Sequence, residues 1–263
     1  IITIFISALK IIFLLGFLIL IHESGHLLVA KLCKVKVNEF AIGFGPVIWK
    51  HQGKETKYAI RAIPLGGFCN MEGEEEKSEE SGSFSKASIP KRIAIVAAGA
   101  TVNIIFGIIV YFILMSCIGM YVGTEDTIIN HIKFAGEETE QLFISLFDSI
   151  KQLFTGKIPL KNMHGVVLIT KMGGDIISSE GIFYGILLTA VISMNLAILN
   201  ILPIPALDGG HLLFLLIEKI QGKPVDEEIA NKIMTVFFAL LIALLVFVLF
   251  NDIYVLVKPL FVH

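Results

Sequence analysis

Apolar residues fall along this chain in long unbroken runs, not in the short periodic patterns of a soluble domain. The first run extends from about Thr3 to Ala30, interrupted by Lys10 and by a polar cluster near its end. The second, Ile93 to Val122, carries no charge, and neither does the third, Gly181 to Leu207. The fourth runs from Ile233 to Asn251 and stops at Asp252. About 20 apolar residues cross the hydrocarbon core of a bilayer, so these runs predict four transmembrane helices. The stretches between them read differently. Val35, Val37 and Phe40 begin an alternation that returns from Tyr58 to Ile63. Gly43-Phe44-Gly45-Pro46 and Ile63-Pro64-Leu65-Gly66-Gly67-Phe68 are turn or close-approach signals, so residues 35 to 70 predict one or two β-hairpins dipping back towards the membrane. Their strands offer either an unpaired edge to an extended peptide or an ordinary surface hairpin. Glu72 to Ser88 is rich in Glu, Ser and Lys and predicts a solvated linker. Leu142, Phe143, Leu146, Phe147, Ile150, Leu153 and Phe154 recur at helical spacing, which predicts an amphipathic helix on the membrane or on the spans. Thr155 to Lys171 follows as a loop. The chain thus divides into 1–122, 123–180 and 181–263.

Composition supports the same class. The chain is 55% hydrophobic, only 17% charged, and has a mean hydropathy of +0.82, whereas soluble domains are nearer a quarter charged. The expected fold is an α-helical polytopic membrane protein of about four transmembrane helices. The lipid bilayer is its first partner. A net charge of -2 without basic bias argues against nucleic acid. Cys33, Cys69 and Cys117 are odd in number and scattered, so they read as small buried hydrophobes. The first run is expected to be retained, because it carries the polar cluster. Of the 21 Lys and Arg, 11 lie between the first two runs and 3 between the last two. Basic connections stay cytoplasmic, so residues 31 to 92 and 208 to 232 are placed there and both termini outside.

The polar cluster is His22-Glu23-Ser24-Gly25-His26. Histidines four apart stack on one helix face and can reach one metal ion, and a glutamate between them suits a general base for a metal-held water. Ionisable groups at bilayer depth are costly and mark function. A catalytic zinc uses three protein ligands, so a third is needed. In Asn200-Ile201-Leu202-Pro203-Ile204-Pro205-Ala206-Leu207-Asp208-Gly209-Gly210-His211 the prolines end a helix and leave irregular backbone, tolerated only inside protein or along a cavity. Asp208, the sole charge between Gly181 and Ile217, is the first candidate, and His211, one turn on, is the second. His51 and Trp49 read as interfacial, His131 and His164 as structural or exposed, and Gly99 and Asn103 as helix-packing positions.

His22-Glu23-Ser24-Gly25-His26 together with Asn200-xx-Pro-x-Pro-x-Leu-Asp208-Gly209 resembles the site-2 protease family of intramembrane zinc metalloproteases, and is close to the bacterial branch that cleaves anti-sigma factors. The two glycine-rich turns look like that branch's membrane re-entrant β-hairpin region. Ala97-Ala98-Gly99-xxx-Asn103 looks like its second-span motif, and Phe154-Thr155-Gly156-Lys157 like the segment before span three. The resemblance implies Zn²⁺ held by His22, His26 and Asp208, with Glu23 as the base. It implies Asn200 as a group that positions substrate or steadies the oxyanion, and Gly43, Gly45, Gly66 and Gly67 as substrate-side backbone. The substrate would be a single-pass transmembrane protein, cleaved in the bacterial cytoplasmic membrane with the site towards the cytoplasm. Two departures concern packing or gating: Ala100 stands where the family has Pro, and Val166 where a Gly-Pro pair is usual. The branch also inserts one or two PDZ domains between spans two and three, and Gly123 to about Thr155 is too short for one. The alternatives from other classes are a metal or ion transporter and an inactive membrane scaffold. Transporters of this kind show internal repeats, and none is evident.

Overall fold

A computed structural model describes residues 2–74, 78–122, 127–157, 173 and 181–257. His164 and Val166 lie outside these. Among the described residues, four helices are long and apolar enough to cross a membrane: Leu9–Leu32, Ile89–Ile118, Ile182–Ile201 and Glu227–Val255. They belong to α1 (Ile2–Leu32), α2 (Ile89–Val122), α4 (Ile182–Ile201) and α6 (Glu227–Val257), with α3 (Ile128–Phe154) and α5 (Asp208–Gln221) between them. The protein is therefore a multi-pass membrane protein carrying a small antiparallel β-structure.

The chain divides into two units. One comprises Ile1–Ile11, Ile105–Asn195 and Leu240–His263. Met194, Ala190 and Ala135 are fully buried in it. A Cβ on Gly107 would lie 2.5 Å from the Met194 side chain and 2.9 Å from the Ala190 carbonyl, so α2 and α4 meet backbone to backbone there. The sequence ends the fourth span at Asp252, but α6 continues to Val257 and Asp252 is wholly buried. Its carboxylate is taken inside the unit, and Ile253-Tyr254-Val255 carries the apolar pattern on. His131 is also buried, at 7% exposure. α3 starts well before the predicted amphipathic stretch, at Ile128, with Thr127 capping its N-terminus by accepting from the Asn130 amide.

The second unit, Ile12–Ile104 and Leu196–Ala239, carries the β-structure. β1 (Val37–Gln52) and β2 (Lys57–Met71) form the predicted hairpin. Its register is more elaborate than one turn. Residues 47 to 52 pair with 57 to 61, while residues 39 to 42 are partnered twice, by Asn70 to Gly67 on one side and by Lys57 to Ile60 on the other. The switch needs β1 to bend sharply, and Gly43 and Gly45 supply it with φ of 85° and 82°. Residues 39 to 42 are thus interior, and 67 to 71 form an outer edge. Ile48, Trp49, Phe44 and Ile63 stay exposed on the far part of the hairpin. Ala30, Val35, Val37, Phe40, Cys69, Met71, Phe84, Ile95, Val96 and Leu215 form one apolar core. It ties the end of α1, the hairpin, the start of α2 and α5 together.

Two sequence expectations change here. The stretch from Glu72 to Ser88 is anchored in part. Phe84 enters the core, its amide donates to the Glu72 carbonyl at 2.7 Å, and the Lys36 amide donates to Gly82 at 2.9 Å. One aromatic in a polar run is enough to pin it. Of the cysteines, Cys69 is buried, Cys33 is half-buried and Cys117 is exposed, because α2 turns that side away from its neighbours.

Candidate metal centre

α1 stacks His22 and His26 on one face, with 3.2 Å between their Nε2 atoms. Both are buried. α1 and α2 approach unusually closely at this point. A Cβ on Gly25 would sit 2.6 Å from the Ala98 carbonyl, and one on Gly99 would sit 2.4 Å from His26 Nε2 and 2.8 Å from His22 Nε2. Only glycines permit this crossing. It brings the Ile95 carbonyl to 2.9 Å from His26 Nδ1. A proton on Nδ1 then donates to that carbonyl and leaves Nε2 free as a ligand, the usual arrangement behind a metal-binding histidine. His22 Nδ1 is buried with no hydrogen-bond partner among the described residues.

The third element arrives from the other end of the chain. α4 ends at Ile201, and the proline segment folds back on the start of α5. Cβ atoms on Gly209 and Gly210 would collide with the backbone of Leu202 and Pro205, so both positions demand glycine. Ala206 takes a φ of 81°, which costs a non-glycine residue roughly 1–2 kcal/mol and sits, as such strain often does, beside a site. Asp208 opens α5, where the helix dipole favours its negative charge. Its Oδ2 lies 3.0 Å from His22 Nε2 and 3.4 Å from His26 Nε2. Arg92 clasps Glu218 near the far end of α5 with two hydrogen bonds, one of 3.0 Å, which fixes that helix against α2.

Zinc fits these three groups. Tetrahedral coordination at 2.0–2.1 Å places ligand atoms about 3.3 Å apart, and the separations here are 3.0, 3.2 and 3.4 Å. Two imidazoles and one carboxylate also form a donor set typical of catalytic zinc. His211, the sequence's second candidate, falls outside the cluster of His22, His26 and Asp208. It lines the adjoining cavity.

That cavity, about 960 Å³, is lined by Glu23, His26, Asp208 and His211, by the outer strand from Gly67 to Met71, and by one face of α6. The strand's outer edge faces it. The Glu72 amide crosses to the Lys36 carbonyl, so the Met71 amide points the other way and meets Glu74 Oε2 at 3.3 Å. Two residues back, the Cys69 amide points the same way and bonds the Glu23 carboxylate. Gly67 leaves room for Glu23, since a Cβ there would sit 3.3 Å from its Cγ. Gly66, in the left-handed region with φ of 117°, lies against Phe44 instead. Gly43 and Gly45 sit at the bend of β1 near Ile63, away from the cavity lining. Burial pushes the Cys69 thiol up to about 12, with the Glu23 and Glu74 charges adding to it, so it is no rival nucleophile. Asn200 reaches His22 Nε2 at 3.4 Å through its amide nitrogen. The role of the Cys69 amide was invisible in the sequence, since strand register is not written in local spacing.

The family model of peptidase family M50 matches residues 10–244. Two clostridial proteins whose names contain the words zinc metalloprotease, from Clostridium acetobutylicum and Clostridium perfringens, are each 30% identical. Each alignment covers 90% of this chain, and 94% and 95% of theirs. The zinc metalloprotease RasP of Geobacillus kaustophilus is 24% identical over 94% of this chain and 97% of its own. These alignments run over 321, 319 and 411 residues, beyond the 263 of this chain, so the relatives carry residues with no counterpart here.

Proposed function

The chain belongs to peptidase family M50, the site-2 type of membrane-embedded zinc metalloprotease, and from that premise we propose that His22, His26 and Asp208 hold the zinc ion and Glu23 is the catalytic base. The observation that carries this assignment is the 3.0–3.4 Å spacing of the three ligand atoms, with Glu23 one residue along the same helix and aimed into the same cavity.

A zinc ion held by His22, His26 and Asp208 would supply Lewis acidity to the scissile carbonyl and would acidify a water. Glu23 takes a proton from the attacking water and returns it to the leaving amide nitrogen. The Cys69 amide holds the carboxylate in place for both transfers. Asn200 donates its amide hydrogen to the carbonyl oxygen as negative charge builds there. A helical substrate hides its carbonyls in its own hydrogen bonds and must unwind first. The outer edge of residues 67 to 71 can receive the unwound stretch as an added strand when Glu74 releases the Met71 amide, and this favours the edge reading of the hairpin over a plain surface hairpin. The Lys and Arg balance supports a site towards the cytoplasmic face of a bacterial cytoplasmic membrane. The motif resemblance favours a single-pass transmembrane substrate of the anti-sigma-factor kind.

Two variants test the roles. Glu23→Gln keeps size and hydrogen bonding, so zinc stays bound while turnover of a reconstituted membrane-helix substrate falls by about 10²–10⁴-fold or more. Asp208→Asn weakens the metal site itself, so zinc content and turnover fall together. Near-parental cleavage by Glu23→Gln with zinc retained would show that the base lies elsewhere.

A further inference from the structure

The catalytic groups and the β-edge account for one side of the cavity. The other side is a single face of α6. Asn231, Met234, Thr235 and Phe238 all line the cavity, and their spacing of three, four and seven residues puts them on one helical stripe. The remainder of that helix turns elsewhere: only 6% of its span is buried inside the molecule. The stripe has two rows. Asn231 and Thr235 stand one turn apart and are polar. Met234 and Phe238 stand one turn apart beside them and are apolar. The Thr235 hydroxyl donates back to the Asn231 carbonyl at 2.8 Å, which leaves its oxygen as an acceptor. The Asn231 carboxamide has no hydrogen-bond partner among the described residues and is exposed. Both its donor and its acceptor are free to meet a peptide.

An extended segment added to the 67–71 edge has two edges of its own. One pairs with β2. The other presents unpaired amide and carbonyl groups across the cavity, and its side chains stand out of the strand plane at every second position. We propose that this face of α6 selects the substrate. The polar row of Asn231 and Thr235 receives the outer backbone edge of the bound segment. The apolar row of Met234 and Phe238 receives a side chain next to the scissile bond. The occupant is an unwound stretch of the transmembrane substrate carrying a medium-sized apolar residue there, such as Leu. The proposal rests on the protease reading of the site.

The test uses the full chain in proteoliposomes with a set of single-pass substrates that carry Ala, Leu, Phe or Trp beside the cleaved bond. For each, kcat/KM, the cleavage position by mass spectrometry, and zinc content are measured. Met234→Ala and Phe238→Ala enlarge the apolar row, so the Trp-to-Leu ratio of kcat/KM rises about 10-fold or more, the size of discrimination that such pockets provide. Zinc content stays at the parental value. Asn231→Ala removes backbone contacts common to all substrates, so KM rises several-fold for every one and the ratio holds. Phe250→Ala, also exposed on α6 but beyond the stripe, changes neither. A Trp-to-Leu ratio unmoved by both apolar variants, with zinc-dependent cleavage intact, overturns the selectivity wall alone. An unchanged KM for Asn231→Ala overturns the polar row. Absence of zinc-dependent cleavage in the parent protein overturns the protease reading, and the wall with it.

Discussion

Single residues decide whether the ligands can meet at all. The clearest is Gly99. A methyl group there would lie 2.4 Å from His26 Nε2 and 2.8 Å from His22 Nε2, so both imidazole rings would have to leave their positions. Gly99→Ala is expected to lower zinc occupancy of purified protein at least tenfold, read by elemental analysis. Gly136→Ala, where a Cβ would meet nothing within 4 Å, is expected to leave zinc unchanged and to stabilise α3 by up to about 1 kcal/mol. The histidine pair and Glu23 were readable in the sequence because a helix has one period and the motif fits it. Asp208 was readable because a lone charge beside two prolines stands out. Gly99 was legible only as a packing position. That it packs against the His22 and His26 rings depends on a contact between helices far apart in sequence. His211 shows the converse: sequence spacing put it within reach of the metal, and the turn of α5 carries it to the cavity wall.

At the scale of elements, the hairpin is held by charge as well as by the core. Glu39 accepts from Lys57 at 2.9 Å and from Arg61 at 2.7 Å, and Arg61 reaches on to the Gly45 carbonyl at 3.0 Å. Burial alone would raise the Glu39 carboxyl, but the Arg61 and Lys57 hydrogen bonds outweigh it and hold it below the usual carboxylate range. A carboxyl lowered on folding contributes stability above its unfolded pKa, about 4.3, and that stability is lost as pH falls through the lowered value. Trp49, the single tryptophan, lies on β1 and reports on this. Its fluorescence midpoint in denaturant should be flat from pH 7 to 5 and drop below pH 4, by at most about 1 kcal/mol for so accessible a cluster. Glu39→Gln should start lower at pH 7 and show no such drop. Alternation in the sequence revealed two strands. It could not reveal that residues 39 to 42 lie between two partners, because pairing is long-range and the glycine bend at 43 and 45 alone permits it.

For the whole molecule, the four spans and the membrane class were legible from run length alone, since nothing but a bilayer asks for so many consecutive apolar residues. The chain's division into two interleaved units was not, because each draws on segments from both ends. The proposed orientation rests on the basic connections, and Ser81, exposed in the second unit, is the place to check it. A cysteine there should resist a membrane-impermeant maleimide in intact cells and react once the membrane is opened, and ready labelling in intact cells would invert the assignment. The proposed ligand set is split across the chain, His22 and His26 early and Asp208 late. During synthesis, at roughly 5–20 residues per second, the carboxylate is made about 10–40 s after the histidines. Until then the first helix carries Glu23 and both histidines without the carboxylate that completes the proposed site. On the proposed ligand set, the peptidase becomes competent only when its penultimate span and the Asp208 segment after it have been delivered.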